Sequence, residues 1–161
     1  MKLSYISFEE GQKHLDWIGL TEAFAQGHNR PKAEIADTFL YRDPDTLLSR
    51  SAWIDGLGLA VKSATVFPQN PSRGAPMING AVSLFSDRSG ELEALVDFHL
   101  VTKWKTAGDS LWAAKRLARP DSRNILIIGA GTVAADSDNG VGVAGVAGGK
   151  GGAAGAALVT R

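Results

Sequence analysis

Two groups of residues in this 161-residue chain have the types and spacing for chemistry. The first is the stretch Asn124 to Ala134, NILIIGAGTVA. Ile125, Leu126, Ile127 and Ile128 have the length and β-branched content of a strand buried on both faces. They run into Gly129, Ala130, Gly131, Thr132, Val133 and Ala134, a G-x-G-x-x-A turn. Gly129 permits the tight turn, and Gly131 lets backbone approach a pyrophosphate. Ala134 lets helix and strand pack closely, while the N-terminus of the helix that follows the turn faces the negative charge. A plain tight turn is the alternative. The second group starts with Lys62, mid-strand among Gly58, Ala60, Ala64 and Val66 on one face. A lysine there with no carboxylate at i±2 is costly to bury unless something anionic meets it. Either its ammonium is aimed at a substrate carboxylate, or the strand is an edge and the side chain reaches solvent. Thr102, Lys105, Thr106 and Asp109 form a polar cluster on one helix face, read either as a solvated face with a Lys105–Asp109 pair or as site residues.

The elements that must position these residues follow from pattern and turn chemistry. Leu3 to Ile6 reads as a short strand. Ser7 and Glu10 form a capping box that opens a helix on Phe8. Trp17, Leu20 and Phe24 mark the apolar stripe of a second short helix ending near Gly27. From Ile35 to Phe98 the period is two, with strands at 35–41, 46–54, 57–67, 77–85 and 92–98. Between them lie Asp43-Pro44, Asp55-Gly56, the stretch Pro68 to Pro76, and Asp87 to Gly90. Short connections without helices predict an antiparallel sheet. A helix from about His99 to Ala118 follows, with Ala107, Gly108 and Ala114 small enough for a neighbour to approach. Pro120 ends it.

The fold class expected is therefore α+β: an antiparallel-sheet domain over 1–118, then the first strand and glycine turn of a dinucleotide-binding domain over 119–134. Ala135 to Arg161 is mostly Gly and Ala with no sustained period. Its glycines each disfavour helix by about 1 kcal/mol relative to Ala, and it has little apolar bulk to offset the entropy of ordering. We read it as a flexible, disordered low-complexity tail, or as the altered end of a truncated or frame-shifted gene.

Seventeen Lys and Arg balance seventeen Asp and Glu, so no net field favours nucleic acid or an anionic membrane. The absence of cysteine excludes disulfides and thiolate zinc sites and suits a reducing cytoplasm. His14, His28 and His99 are isolated, so no metal site is expected. Met1 to Glu10 has no secretory pattern, and no apolar run approaches the roughly eighteen residues of a membrane span. A cytoplasmic protein is expected.

The order of four motifs resembles that of the ornithine cyclodeaminase/mu-crystallin family, which also includes ketimine reductases and some alanine dehydrogenases. The motifs are GLGLAVKSATVFPQNPSRGAP (56–76), LFSDRSGELEALVD (84–97), LVTKWKTAGDSLWAAKRLARPDSR (100–123) and IIGAGTVA (127–134). The likeness runs from about Ser4 to Ala134. It implies a substrate and dimerisation domain followed by a Rossmann domain binding NAD or NADP, in a homodimer. It implies that Lys62 contacts a substrate carboxylate and that Lys105, where most members have Arg, lines the substrate site. A further arginine upstream of the lysine strand maps onto Arg50, Arg42 or Lys32, which spacing does not separate. Gly129, Gly131, Thr132 and Val133 take the cofactor-binding positions. Met77 stands near where many members carry a threonine, and the family's general acid/base lies in the second domain, past Arg161.

The implied activity is NAD(P)-dependent chemistry on an amino or imino acid. One version converts ornithine to proline with loss of ammonia; the other reduces a ketimine such as a cyclic pyrroline carboxylate. Both require a carboxylate held beside the nicotinamide. The alternative is a catalytically dead fragment acting only as a dimerisation or small-molecule-binding module.

Overall fold

The computed structural model describes residues 3–119, 121, 124–128 and 156–160. The chain divides into two units, Met1–His14 with His28–Val101 and Leu15–Gly27 with Thr102–Arg161. The first contains a six-stranded sheet of β1 (Ser4–Ile6), β2 (Glu34–Arg42), β3 (Asp45–Ile54), β4 (Gly58–Val66), β5 (Ile78–Phe85) and β6 (Leu92–Asp97). The strand order is β1-β6-β5-β4-β3-β2. From β2 to β6 every pairing is antiparallel, as the short turns require, whereas β1 joins β6 in parallel. The α+β class and the sheet expected from the sequence are both present.

Turn chemistry sets the register. The Asp43–Pro44 peptide, which is cis, closes the β2–β3 hairpin, so Arg42 lies opposite Asp45. Gly56 at φ 74° and Gly58 at φ 144° carry the next turn, in a region where a Cβ is unfavourable. Between β4 and β5 the chain makes a 3-10 turn at Asn70–Arg73. Asp87, in the β5–β6 turn, accepts from the Trp53 indole at 2.7 Å and from the Gly56 amide at 2.9 Å.

One face of the sheet is covered on its β5–β6 side. Helix α1 (Phe8–Gln12) is capped by Ser7, whose Oγ accepts the Glu10 amide at 3.2 Å. The Glu10 carboxylate pairs with Lys13 and His14. A side chain at Gly11 would collide with Leu100, so the absence of a Cβ sets how closely the two approach. Ala64, Val82, Ala94, Val96, Phe98 and Leu100 are buried. Every residue of the edge strand β2 is exposed, including Ile35, Phe39, Leu40 and Tyr41.

In the second unit, helix α2 (Trp17–Gly27) packs on helix α3 (Phe98–Leu117), whose first turn belongs to the sheet unit. Asp16 Oδ1 accepts the Gly19 amide at the start of α2, at 2.8 Å. The Trp17 and Trp104 rings lie 4.2 Å apart between centroids. A Cβ at Gly108 would stand 2.6 Å from Leu20 Cδ2 and 2.8 Å from Phe24 Cε2. The expected stripe on α2 and the small residue on α3 therefore meet. Asp97 Oδ1 accepts the Leu100 amide at 2.9 Å and caps α3, which starts its helix one residue before the expected His99.

The strand expected before the glycine turn is β7 (Asn124–Ile128). It pairs antiparallel with β8 (Ala156–Thr160), Ile125 opposite Val159 and Ile127 opposite Ala157. Those five residues were expected to lie in a disordered tail, and here the expectation is corrected. AALVT combines apolar and β-branched residues with no glycine, which suits a strand better than the surrounding Gly-rich chain does. Residues 129–155, with the glycine turn, lie outside the described residues. Among the described residues, no helix is long and apolar enough to cross a membrane.

Candidate functional site

The antiparallel registers place Asp37 opposite Arg50, Arg50 opposite Lys62, Lys62 opposite Val82, and Val82 opposite Val96. Directly opposed residues share a face. One row therefore crosses the sheet from an exposed ion pair at β2 through a lysine on β4 to buried valines on β5 and β6. The edge-strand reading of Lys62 is corrected, because β4 is flanked by β3 and β5. Its flank on the same face is apolar and small, as alternation required, with Ala64 buried beside it.

Arg50 is held by a two-pronged pair. Its Nε donates to Asp37 Oδ1 at 2.7 Å and its Nη2 to Asp37 Oδ2 at 2.6 Å. The guanidinium fork matches the carboxylate, which fixes the plane of Arg50 as well as its position. Its hydrogen bonds with Arg50 hold the Asp37 carboxyl below the ordinary carboxylate range and raise Arg50 in turn. The Arg50 side chain is 59% exposed.

Lys62 is half-buried, and its Nζ lies 4.7 Å from the centroid of the Phe98 ring. Phe98 is the first residue of α3 and is 4% exposed. Its ring occupies the space left by Gly80: a Cβ there would lie 2.6 Å from Phe98 Cδ2 and would also collide with the Ser63 carbonyl oxygen. Gly80 pairs with Ala64 on β4, two residues along from Lys62.

Three upstream cations were left open by spacing, and register separates their positions. Arg50 is the one directly opposite Lys62. Arg42 sits at the β2–β3 hairpin tip, where it pairs with Asp45 at 2.6 Å and lies over Phe67 at 5.8 Å. Lys32 is exposed ahead of β2.

Lys105 lies on α3 in the second unit and forms an i,i+4 ion pair with Asp109. Both side chains are largely exposed, as the solvated-face reading expects. Gly129, Gly131, Thr132 and Val133 lie outside the described residues. Among the described residues, no group of three or more His, Asp or Glu could hold a metal ion. Asp37 and Phe98 were not singled out in the sequence; only register places one beside Arg50 and only tertiary packing places the other beside Lys62.

A sequence profile described as the ornithine cyclodeaminase/mu-crystallin family matches residues 52–139, more than half of the chain. The chain belongs to that family. It is 50% identical over 131 residues to the Δ(1)-pyrroline-2-carboxylate reductase of Paracoccus denitrificans, an alignment covering 81% of this chain and 42% of that protein. The chain thus spans less than half the length of that curated relative. Among solved structures it is similar to an archaeal alanine dehydrogenase dimer with NAD bound, at TM-score 0.73 and 24% identity, over 88% of this chain and 45% of that one. It is also similar to the Thermococcus litoralis Δ(1)-pyrroline-2-carboxylate reductase in complex with NADH and L-proline. That match has TM-score 0.65 and 26% identity, over 75% of this chain and 40% of the other.

Proposed function

We propose that this chain supplies the substrate-binding part of an NAD(P)H-dependent reductase of a cyclic imino acid, of the Δ(1)-pyrroline-2-carboxylate class. The observation that carries the reading is the adjacent pair of cations, Arg50 and Lys62, in one sheet row beside small apolar residues. A carboxylate can accept from the lysine ammonium and from the guanidinium together, and charge-assisted bonds of this kind both bind and orient. Ala64 and Val82 offer the apolar wall that a five-membered ring requires. The half identity to a pyrroline-2-carboxylate reductase supports this substrate over ornithine.

The cofactor, when bound, supplies the hydride for the imine carbon. Gly129, Gly131, Thr132 and Val133 are the residues proposed to hold its phosphates. Support comes from β7, which runs as a strand directly into Gly129 as a phosphate-binding turn requires. The role that the resemblance implies for Lys105 rests on the sequence alone.

A homodimer paired through the first unit completes the proposal. Its support is the edge strand β2, which exposes Ile35, Phe39, Leu40 and Tyr41, an apolar edge that soluble proteins ordinarily cover.

Titrating the purified chain with pyrrole-2-carboxylate by calorimetry, and with NADH and NADPH by fluorescence, tests the reading. Saturable binding of the acid is expected, weakened about 10- to 100-fold by Lys62→Ala, the range of a charge-assisted bond. Equal binding by wild type and Lys62→Ala removes the lysine from the site. Acid binding with no nucleotide binding would favour a small-molecule-binding module instead.

A further inference from the structure

We infer that β2 takes as its partner β2 of a second copy of this chain, added antiparallel in the register that sets Thr38 opposite Thr38 of the partner subunit on the two-fold axis. The inference rests on the homodimer proposed above and deepens it by fixing the strand, its direction and its register.

β2 is the outer strand of the sheet, and all nine of its residues are exposed. On the side away from β3, alternate backbone N–H and C=O groups meet no strand among the described residues. The usual devices that blunt an edge are missing from it. Its pairing with β3 runs residue for residue from Glu34 to Arg42 without a bulge, and the strand holds neither proline nor lysine. Such an edge is a template for a further strand.

The order EIADTFLYR indicates which strand it fits. Two-fold symmetry makes the axis of an antiparallel pair fall on one residue paired with its own copy. With the axis on Thr38, Glu34 faces Arg42 of the partner subunit, and Ile35 faces the partner's Tyr41. Ala36 then faces the partner's Leu40, and Asp37 faces the partner's Phe39. Each match occurs twice, so opposite charges close both ends around an apolar middle. Moving the axis to Asp37 would set two aspartates against each other and Lys32 against Arg42 of the partner subunit. Moving it to Phe39 would set Glu34 against the partner's Pro44 and leave Arg42 facing the partner's Ala36. Opposite charges directly across a pair of strands attract and like charges repel, so Thr38 is the favoured centre of the three. Opposed residues also share a face. The row through Arg50 and Asp37 therefore gains Phe39 of the partner subunit at its outer end.

The chain has no cysteine, so single cysteines read the register directly. Under mild oxidation Thr38→Cys should link two chains, because opposed residues of paired strands lie within the roughly 4.4–6.8 Å between Cα atoms that a disulfide spans. Ala36→Cys and Leu40→Cys should each stay unlinked alone and should link when the two proteins are mixed. Size-exclusion chromatography with light scattering should show the wild-type chain as a dimer. Glu34→Arg should raise its dissociation constant about 10-fold, and adding Arg42→Glu should restore most of the loss. A wild-type monomer overturns the inference together with the homodimer on which it rests. A wild-type dimer whose Thr38→Cys chains stay unlinked leaves the homodimer standing and overturns the register. So does a dimer whose mixed Ala36→Cys and Leu40→Cys chains fail to link, or one indifferent to Glu34→Arg.

Discussion

Asp87 accepts the indole N–H of Trp53 at 2.7 Å, and its second oxygen accepts the Gly56 amide at 2.9 Å. One carboxylate thus ties the β3–β4 turn to the β5–β6 turn at the same end of the sheet. The Trp53 hydrogen bond, then the Gly56 amide, hold its carboxyl below the usual aspartate value. A depressed folded value means that the tie stabilises the fold above the unfolded carboxylate pKa, and that this stability is lost as pH falls through the folded value. Asp87→Asn should lower Tm at pH 7, and the gap to wild type should close as pH falls from about 5 towards 3. Thermal melts across that range check it; a gap independent of pH would show that the charge of Asp87 is not involved.

The grip of Asp37 on Arg50 predicts a separation between two substitutions that look similar. Arg50→Lys keeps the charge and loses the fork, so it cannot meet Asp37 and a ligand carboxylate at once. Asp37→Ala keeps Arg50 and releases its plane. Both should weaken binding of pyrrole-2-carboxylate about 3- to 10-fold, and the double variant should show less than the sum of the two effects, because they act through one group. Calorimetric titrations of all four proteins make the measurement, and full additivity would uncouple Asp37 from the site.

Gly80→Ala introduces a methyl group that meets the Phe98 ring and the backbone oxygen of Ser63. Neither the carbonyl nor a buried ring can swing aside cheaply, so the substitution should destabilise by about 1–3 kcal/mol, as overpacking does. Urea unfolding followed by tryptophan fluorescence reads the change. A variant as stable as wild type would show that the sheet has slack at this point.

Gly108 gives a contrasting case. Within a helix, replacing glycine by alanine is favourable by about 1 kcal/mol, yet here a Cβ would stand 2.6 Å from Leu20 Cδ2 and 2.8 Å from Phe24 Cε2. Leu20 can rotate away, so Gly108→Ala should leave stability within about 1 kcal/mol of wild type, while Gly108→Val should cost about 1–3 kcal/mol. Denaturation midpoints of the two variants distinguish this from a loosely packed α2–α3 contact, in which both would be tolerated.

Most of the sheet was legible because its turns are written in distinctive residues. With the β2–β3 hairpin closed at Asp43-Pro44, counting outward in equal steps brings Asp37 opposite Arg50. The β3–β4 turn differs: it holds three residues, Asp55 to Leu57, so that Ile54 meets Gly58 and Arg50 meets Lys62. Equal counting from Asp55-Gly56 alone would bring Arg50 opposite Val61 and turn Lys62 to the other face. The first half of the row was therefore legible in its turn and the second half was not. What alternation alone could not give was strand order, and so Lys62 could be read on an edge when β4 has a neighbour on each side. The seat of Phe98 was likewise hidden, since a phenylalanine at the end of a strand pattern carries no mark of the glycine it will meet. The pairing of β8 with β7 joins segments far apart in the chain, and a five-residue strand within Gly and Ala leaves little periodic signal.

The parallel seating of β1 against β6, with Ser4 beside Ala94, imposes an order of events on a nascent chain. The hairpins from β2 to β5 join neighbours in sequence and can form as they emerge from the ribosome. β1 finds its partner only in β6, the last strand of the sheet in sequence, so this pairing closes the longest loop of the unit and brings α1 and Gly11 onto Leu100.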